Sequence, residues 1–375
     1  MHPAPVDNVL LLADSYKVTH HKQYPPGTTH VYSYFESRGG KYEEICFFGL
    51  QYLIKRWLTG TGRQPSTTVI FLYESRPYQR TLLVQVWYPI TVCTISREMK
   101  KTLGKYLAET ADSVDDLPLK LHDFGYRGST SVESAAIGGA AHLVNFVGTD
   151  TIAGLMLCAD YYGAPMAGFS IPATEHSTMT TWKQSGEADA LSEYARTVPG
   201  RRSFGCFRLL LNLLAAKFPV TINSKGYHVL PPYLRLMQGD GIKPETIGEI
   251  LESIKIAGWS TENVVFGAGG ALLQRMDRDT QQCAFKCSNV VINGESCDVF
   301  KNPATDSNKR SKKGRLTLER REGGKIVTVQ EGEGDPAKDM LVTVFENGEL
   351  KMDYALDEIR ARAELDFEQV KEAQQ

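Results

Sequence analysis

The alternation of apolar and polar positions changes character near residue 115 of this 375-residue chain. Before that point the pattern is mixed. The aromatic run HVYSYF at 30–35 favours a strand, whereas FFGLQYLIKRWL at 47–58 and the segment 97–108 have helical spacing. Two further short strand-like runs occupy 9–12 and 68–73. This part of the chain therefore predicts a mixed α/β arrangement.

After residue 115, apolar strand-like runs end in small, polar or charged residues and are followed by helical segments. This is the rhythm of consecutive βα units, in which the carboxyl ends of parallel strands collect functional side chains. Turn formation and helix capping alone also favour Gly and Asp at such places. The five runs are LKLHDFGYRG (119–128), LVNFVGTD (143–150), AGFSIPATEH (167–176), YLRLMQGDG (233–241) and NVVFGAGG (263–270).

Two of these strand ends carry glycine turns. Gly239-Asp240-Gly241 precedes a helix with an apolar stripe, and Ala268-Gly269-Gly270 precedes the helical run ALLQRM. Backbone N–H groups at such a helix start can approach a phosphate without obstruction by a Cβ atom. The spacing matches neither the dinucleotide-binding fingerprint nor the P-loop. A phosphate grip and a simple tight turn both remain open for each cluster.

Composition narrows the class of protein. With 42 Lys and Arg against 44 Asp and Glu, the net charge is −2, and 42% of residues are hydrophobic. These values are typical of a globular protein and argue against a globally basic nucleic-acid binder. Phe207 to Phe218, the longest strongly apolar stretch, is shorter than the roughly 18 residues of a membrane span. Neither a membrane helix nor a signal peptide is expected.

The cysteines and one basic segment leave less specific signals. Seven scattered cysteines indicate a reducing compartment, and the spacing of Cys283 and Cys287 favours buried thiols over a zinc site. Six Lys and Arg residues fall within 301–315. This segment is open to three interpretations: a solvated charge run, a nucleic-acid or nuclear-localisation patch, or a polyphosphate site.

Several long stretches of the chain carry a family signal: LLADSYKVTHHKQYPPGTTHVYSYFESR, KLHDFGYRG, AHLVNFVGTDTIAGL, IPATEHST, KFPVTINSKGYHVLPPYLRLMQGDG, FGAGGALLQ and NKRSKKGRL. Together they closely resemble the nicotinamide phosphoribosyltransferase family. The similarity follows the family order and covers most of residues 8–58, 82–182 and 214–375.

The resemblance implies a reaction and a fold. In the family, nicotinamide attacks C1 of 5-phosphoribosyl-1-pyrophosphate and displaces pyrophosphate with Mg²⁺, which yields nicotinamide mononucleotide for NAD salvage. Such a transfer needs positioning and charge stabilisation rather than a protein nucleophile. The implied fold is an irregular, incomplete α/β barrel of type II phosphoribosyltransferases with a smaller mixed α/β domain. We expect the barrel at 101–295, and the smaller domain from 1–100 together with 296–375.

The resemblance also assigns a nicotinamide pocket. The ring would lie between Phe124 and, from the other subunit, Tyr16. Asp150 would accept the amide N–H and repel the carboxylate of nicotinate. By the same resemblance, four further residues line this region: Asp14, Arg127, Ser170 and Ile171.

Phosphate handling is assigned in the same way. His176 resembles the family histidine that is phosphorylated when ATP hydrolysis is coupled to the reaction. Ribose and phosphate of the mononucleotide would be held by Arg235, Gly239, Asp240, Gly269 and Gly270, of which Asp240 is also a catalytic candidate. Pyrophosphate or ATP phosphates would be held from the facing subunit by Arg278, Lys286, Lys301 and Lys309. A cytoplasmic homodimer with shared active sites is implied.

Two departures from the family pattern keep other functions open. Residues 60–80 replace a longer region, and GRRSFGCFRLLLNLLAAKF stands where the family places further βα units and an R-P-D-S-G turn. In the family, the Arg of that turn packs on nicotinamide and its Asp supports the ribose. The alternatives are a catalytically inactive family member that dimerises or binds ligands, and an enzyme that uses nicotinate.

Overall fold

The computed structural model describes residues 23–59, 78–171, 180–186, 189, 202–203, 207–302, 310–321 and 326–366. The chain divides into two compact units: Met1–Ile90 with Asp277–Tyr354, and Thr91–Met276 with Ala355–Gln375. The sequence predicts the barrel at 101–295 and the smaller domain from 1–100 with 296–375, so the two units divide the chain at other positions. The difference at the second boundary arises because the strand at 283–292 pairs with the strand at 28–37, which places it in the first unit.

The first unit is built from antiparallel strands. Strands β1 (Thr28–Ser37), β9 (Cys283–Ile292) and β10 (Glu295–Asp298) form one sheet in the order β1-β9-β10. Two hairpins follow, β11 (Leu316–Arg320) with β12 (Ile326–Gln330) and β13 (Phe345–Glu346) with β14 (Glu349–Leu350). The strand predicted at 30–35 is confirmed within β1.

A short helical segment supplies apolar packing in the same unit. Helix α1 (Leu50–Leu53) continues as a π-helical turn over Ile54–Leu58, which confirms the helical spacing predicted at 47–58. Ile54 and Leu58 pack against Phe345 in a buried cluster. The runs predicted at 9–12 and 68–73 lie outside the described residues.

The second unit contains a five-stranded parallel sheet in the order β3-β2-β8-β7-β4. The predicted βα rhythm is confirmed at four of the five runs, and so is the α/β class; closure of the sheet into a barrel stays a prediction. The run 167–176 contributes an isolated parallel bridge between Phe169 and Gly148, and its residues 172–176 lie outside the described residues. The strands are β2 (Leu121–Asp123), β3 (Gly148–Thr149), β4 (Arg202–Ser203), β7 (Arg235–Gln238) and β8 (Val264–Ala268). A small antiparallel pair, β5 (Thr221–Ile222) and β6 (His228–Val229), lies apart from this sheet.

Helices alternate with these strands. They are α2 (Tyr78–Thr110), α3 (Val132–His142), α4 (Ile152–Tyr162), α5 (Phe207–Ala215), α6 (Pro244–Ile256), α7 (Gly270–Leu273) and α8 (Leu356–Ala363). The helix predicted at 97–108 is confirmed as part of α2. In α6, Ile247, Leu251 and Ile254 are buried, as expected for an amphipathic helix on a sheet.

Two glycines set the approach of α3 to α4. A Cβ atom on Gly154 would lie 2.9 Å from the carbonyl carbon of Gly139, closer than real Cβ contacts. Because neither glycine has a side chain, the two helix backbones can touch. This close contact lies beside the carboxyl ends of β2 and β3, where the candidate site is found.

Across the parts of the chain that the structure describes, none of the helices combines the length and apolar character of a bilayer span. None of the described cysteines at 46, 93, 158, 283, 287 and 297 takes part in a disulfide, and Cys93, Cys158 and Cys283 are buried. Cys206 lies outside the described residues.

Candidate active site

Backbone hydrogen bonds bring three strand ends together at one edge of the parallel sheet. The N–H of Phe124, just after β2, donates to the carbonyl of Ala268 at the end of β8 (2.9 Å). The N–H of Asp150, just after β3, donates to the carbonyl of Asp123 (2.9 Å). Phe124, Asp150 and the Gly269-Gly270 turn therefore share one rim, as the βα rhythm predicted.

The half-buried ring of Phe124 occupies space that only a glycine on β8 leaves free. A Cβ atom on Gly267 would lie 2.1 Å from Phe124 Cε2. The ring centroid is 6.2 Å from that of His122 in a tilted arrangement. One part of this aromatic surface is thus fixed by the sheet, and the rest is open to a flat ligand.

Asp150 and Ser170 form a polar pair beside this ring. Both are exposed, and the Ser170 hydroxyl donates to Asp150 Oδ1 at 2.6 Å. The Ser170 segment runs along β3, since Thr149 N–H donates to Phe169 O (2.9 Å) and Phe169 N–H donates to Val147 O (2.7 Å). One oxygen of Asp150, Oδ1, is thereby oriented.

A second carboxylate, Asp123, is fully buried behind the rim. Its Oδ1 accepts from Gly125 N–H at 2.7 Å and so fixes the turn that carries Phe124. Among the described residues, Oδ2 has no hydrogen-bond partner of standard geometry. Burial raises the pKa of Asp123 to about 6. The charge of Asp150 also raises this pKa, whereas the Gly125 N–H and the hydroxyls of Thr151 and Thr149 lower it.

The two glycine turns follow neighbouring strands, β7 and β8. Gly269 precedes the short helix α7, and a Cβ on Gly270 would meet nothing within 4 Å. Gly241 has a φ of +69°, a conformation that favours glycine. Asp240, which precedes Gly241 in the turn after β7, is exposed. Open backbone at the sheet edge is what a phosphate group requires.

Arg127 joins this edge, whereas Arg235 does not. Arg127 is exposed in the turn after Phe124, where Gly128 approaches Gly270. Arg235 begins β7 and so lies at the amino end of the strand, away from the rim. Its Nη1 donates to the carbonyls of Pro231 (2.8 Å), Leu234 (2.9 Å) and Leu230 (3.3 Å). Its Nη2 lies 3.7 Å from Glu262 Oε1, so the guanidinium is engaged by its own preceding loop and by Glu262.

Several predicted residues belong to the other unit or to undescribed parts of the chain. Arg278, Lys286 and Lys301 lie within Asp277–Tyr354 of the first unit. Arg278 Nη2 pairs with Asp279 Oδ1 at 2.6 Å, and Lys286 on β9 stands opposite Tyr34 of β1. The predicted residues Asp14, Tyr16, His176 and Lys309 lie outside the described residues. Ile171 is half-buried next to Ser170.

Sequence reasoning missed Asp123 and Gly267 as site residues. Both stand inside motifs that the resemblance uses, HDFGYRG and FGAGG. An Asp at the last position of an apolar strand was the available signal for a buried carboxylate. Within the described residues, no cluster of three or more His, Cys, Asp or Glu side chains has an arrangement suited to hold a metal ion.

Comparisons with known proteins agree with this architecture. The model of the nicotinate phosphoribosyltransferase (NAPRTase) family matches residues 119–201 and 200–349, and that of the nicotinamide phosphoribosyltransferase N-terminal domain matches 8–67. The crystal structure of nicotinate-nucleotide pyrophosphorylase from Pyrococcus furiosus is similar in fold, with a TM-score of 0.63 at 16% identity. That likeness covers 100% of this chain and 99% of the other.

Two relatives are similar along nearly their whole length, and both bear the name nicotinamide phosphoribosyltransferase. The protein of Xanthomonas campestris pv. campestris is 38% identical, with 96% of this chain and 98% of the relative covered. That of Acinetobacter baylyi is 26% identical, with 98% and 99% covered. The first alignment spans 467 positions against 375 residues here, so the relative has segments without a counterpart in this chain. The family match and this identity show that the chain belongs to the nicotinate phosphoribosyltransferase family.

Proposed function

We propose that this protein is a nicotinamide phosphoribosyltransferase of NAD salvage. It would transfer the 5-phosphoribosyl group of 5-phosphoribosyl-1-pyrophosphate to nicotinamide and release pyrophosphate. The observation that carries the proposal is the shared rim, where Phe124, the Asp150–Ser170 pair and the Gly269-Gly270 turn meet at one edge of the parallel sheet. The names of the two relatives support the same reaction.

Each group on the rim has a chemical task in this reaction. The open part of the Phe124 ring stacks on nicotinamide, and Asp150 Oδ2 accepts an amide N–H while Oδ1 is held by Ser170. The ring nitrogen then bonds to C1 of the ribose, and the C1–O bond breaks with its electron pair leaving on pyrophosphate. Positioning of the two reactants supplies most of the acceleration.

The glycine turns would hold the charged end of the substrate. N–H groups in the first turn of a helix have no intrahelical acceptor, so those of Gly269 and Gly270 can donate to the 5-phosphate. The Mg²⁺ of the substrate's pyrophosphate complex would supply charge stabilisation for the leaving group. The exposed carboxylate of Asp240 offers the hard oxygen ligand that this ion takes.

Nicotinamide rather than nicotinate is the proposed base. A nicotinate carboxylate would face the Asp150 carboxylate, and two negative charges in close proximity repel each other. Asp150→Asn should therefore lower kcat/KM for nicotinamide and reduce the preference over nicotinate. A preference that is unchanged in this variant would contradict the role of Asp150.

We propose that ATP hydrolysis is coupled to the reaction through phosphorylation of His176, as the resemblance implies. The test is incubation with γ-labelled ATP. We expect acid-labile label on the wild-type protein and none on His176→Ala, with loss of the ATP stimulation but retention of basal transfer. Equal labelling of both proteins would contradict this assignment.

We also propose a cytoplasmic homodimer in which the partner supplies Tyr16, Arg278, Lys286, Lys301 and Lys309 to each site. The free thiols at the described positions fit a reducing compartment. Mixing Asp150→Asn with Lys286→Ala tests the sharing of residues, because one hybrid site in such a dimer keeps both groups. Recovery of part of the wild-type activity on mixing is expected, and no recovery would contradict it.

The reaction itself is tested directly. Purified protein, nicotinamide, phosphoribosyl pyrophosphate, Mg²⁺ and ATP should yield nicotinamide mononucleotide. The absence of an R-P-D-S-G turn favours a second candidate, a family member that binds ligands without turnover. Calorimetry beside the activity assay separates the two candidates. A family member without turnover would bind phosphate ligands in calorimetry and yield no product in the assay.

A further inference from the structure

Arg360, on the carboxyl-terminal helix α8, reaches two carbonyl groups, one at the end of α3 and one in the segment that leads to Ser170. Its Nε donates to Leu143 O at 2.8 Å, and its Nη2 donates to Ala167 O at 2.6 Å. Nη1 lies 3.4 Å from Asp357 Oδ1, a carboxylate that is 91% exposed and so a weak partner. The guanidinium is thus engaged mainly by two backbone segments that lie far from it in sequence.

The second of these segments leads directly to the site. From Ala167 the chain runs to Phe169, which accepts from Thr149 N–H in β3 and donates to Val147 O just before β3, and then to Ser170. Ser170 donates to Asp150 Oδ1. Only two residues separate the carbonyl that Arg360 holds from the hydroxyl that orients Asp150. Ala167 and Ser170 therefore belong to one short segment that is hydrogen-bonded along β3.

Helix α8 is itself anchored by other contacts. Leu356 and Leu365 are buried, and Arg97 Nη1 on α2 donates to Ala363 O. Lys100 lies 3.4 Å from Glu364 Oε1. These contacts hold the helix without touching Ala167, so the function of Arg360 can be separated from the docking of α8.

We propose that Arg360 is a positioning residue for the nicotinamide pocket, acting through Ala167 and Ser170 on the orientation of Asp150. The inference rests on the proposed function, since it concerns the same pocket. The planar guanidinium donates in two directions at once, which a lysine ammonium on a flexible stem does not reproduce.

The first test compares two arginines that both hold α8. Arg360→Met should lower kcat/KM for nicotinamide by about tenfold or more, through a higher KM, because small misplacements of binding groups are costly. The KM for phosphoribosyl pyrophosphate should stay close to that of the wild type. Arg97→Met, the matched control, removes an anchor of the same helix and should leave the KM for nicotinamide unchanged. Equal effects of both variants would overturn the inference.

A double-mutant cycle tests the path through Ser170. In a Ser170→Ala background, Arg360→Met should add little to the loss in kcat/KM, because residues that act through one another are not additive. Full additivity would overturn the inference. Should Arg360→Met not fold, Arg360→Lys takes its place in the same cycle with the same expectations. A wild-type protein that makes no mononucleotide refutes the proposed function, whereas an active wild type with an additive cycle refutes only this inference.

Discussion

Replacing Asp123 with asparagine should stabilise the second unit at neutral and alkaline pH. The asparagine Oδ1 can still accept from Gly125 N–H, so the turn is kept while the buried charge is removed. Burial raises the pKa of this carboxyl from 3.8 to about 6. Each pKa unit corresponds to about 1.4 kcal/mol, so the ionised group lowers the free energy of unfolding by about 3 kcal/mol.

The sign follows from which state holds the proton more tightly. The folded protein binds it more tightly than the unfolded chain, so stability from this group is greatest below pH 3.8 and is lost as the pH rises through about 6. Relative to the wild type, Asp123→Asn should therefore raise the free energy of unfolding most above a pH of about 7 and hardly at all near a pH of about 4.

Urea unfolding at a series of pH values, read from hydrogen exchange in peptides that cover β2 and β8, measures this difference locally. Asp112→Asn is the control, because Asp112 accepts from the exposed Ser224 hydroxyl. The reasoning would be refuted if Asp123→Asn did not raise the free energy of unfolding above neutral pH, or if it raised this free energy equally at every pH.

Three further predictions concern the same unit. Gly267→Ala should displace the Phe124 ring, lower the free energy of unfolding by about 1–3 kcal/mol and weaken nicotinamide binding in calorimetry. The control is Gly248→Ala in α6, which should be tolerated because the nearest contact of the added Cβ is an ordinary 3.7 Å. Equal losses of stability and binding in the two variants would contradict the packing argument. Ser170→Ala should lower kcat/KM for nicotinamide by about tenfold because the bond to Asp150 is charge-assisted, and unchanged steady-state kinetics would argue against the pair. Burial lowers the pKa of His142 to about 3, so its contribution to stability is present above its ordinary 6.5 and is lost as the pH falls toward 3. His142→Gln should have a shallower fall of urea midpoint below a pH of about 6, and an identical slope would refute this.

Much of the rim could be predicted from the sequence because its signals are local. Strands such as β2 and β8 are short, mainly apolar runs that are followed directly by Phe124 and Gly269, and a parallel sheet brings those ends together whatever lies between them. The same holds for α6, whose buried stripe repeats at helical spacing. In these segments local pattern and tertiary packing favour the same structure.

The contacts that the sequence did not predict are those that depend on the direction of a long side chain or on pairing between residues far apart in the chain. Arg235 was expected near phosphate, but its flexible side chain turns back to the carbonyls of the Pro231–Leu234 turn. The pairing of β9 with β1 joins residues about 250 positions apart, and no local pattern encodes such a partner. Arg360 reaches Ala167 across 193 positions in the same way.

The central claim is that the rim built on Phe124, Asp150 and Ser170 transfers a phosphoribosyl group to nicotinamide. Its most direct test is chromatographic detection of nicotinamide mononucleotide after incubation of the purified protein with nicotinamide, phosphoribosyl pyrophosphate, Mg²⁺ and ATP. We predict product formation that depends on Asp150 and falls in Asp150→Asn. No product from the wild-type protein, while the Xanthomonas campestris relative is active in the same buffer, would contradict the account.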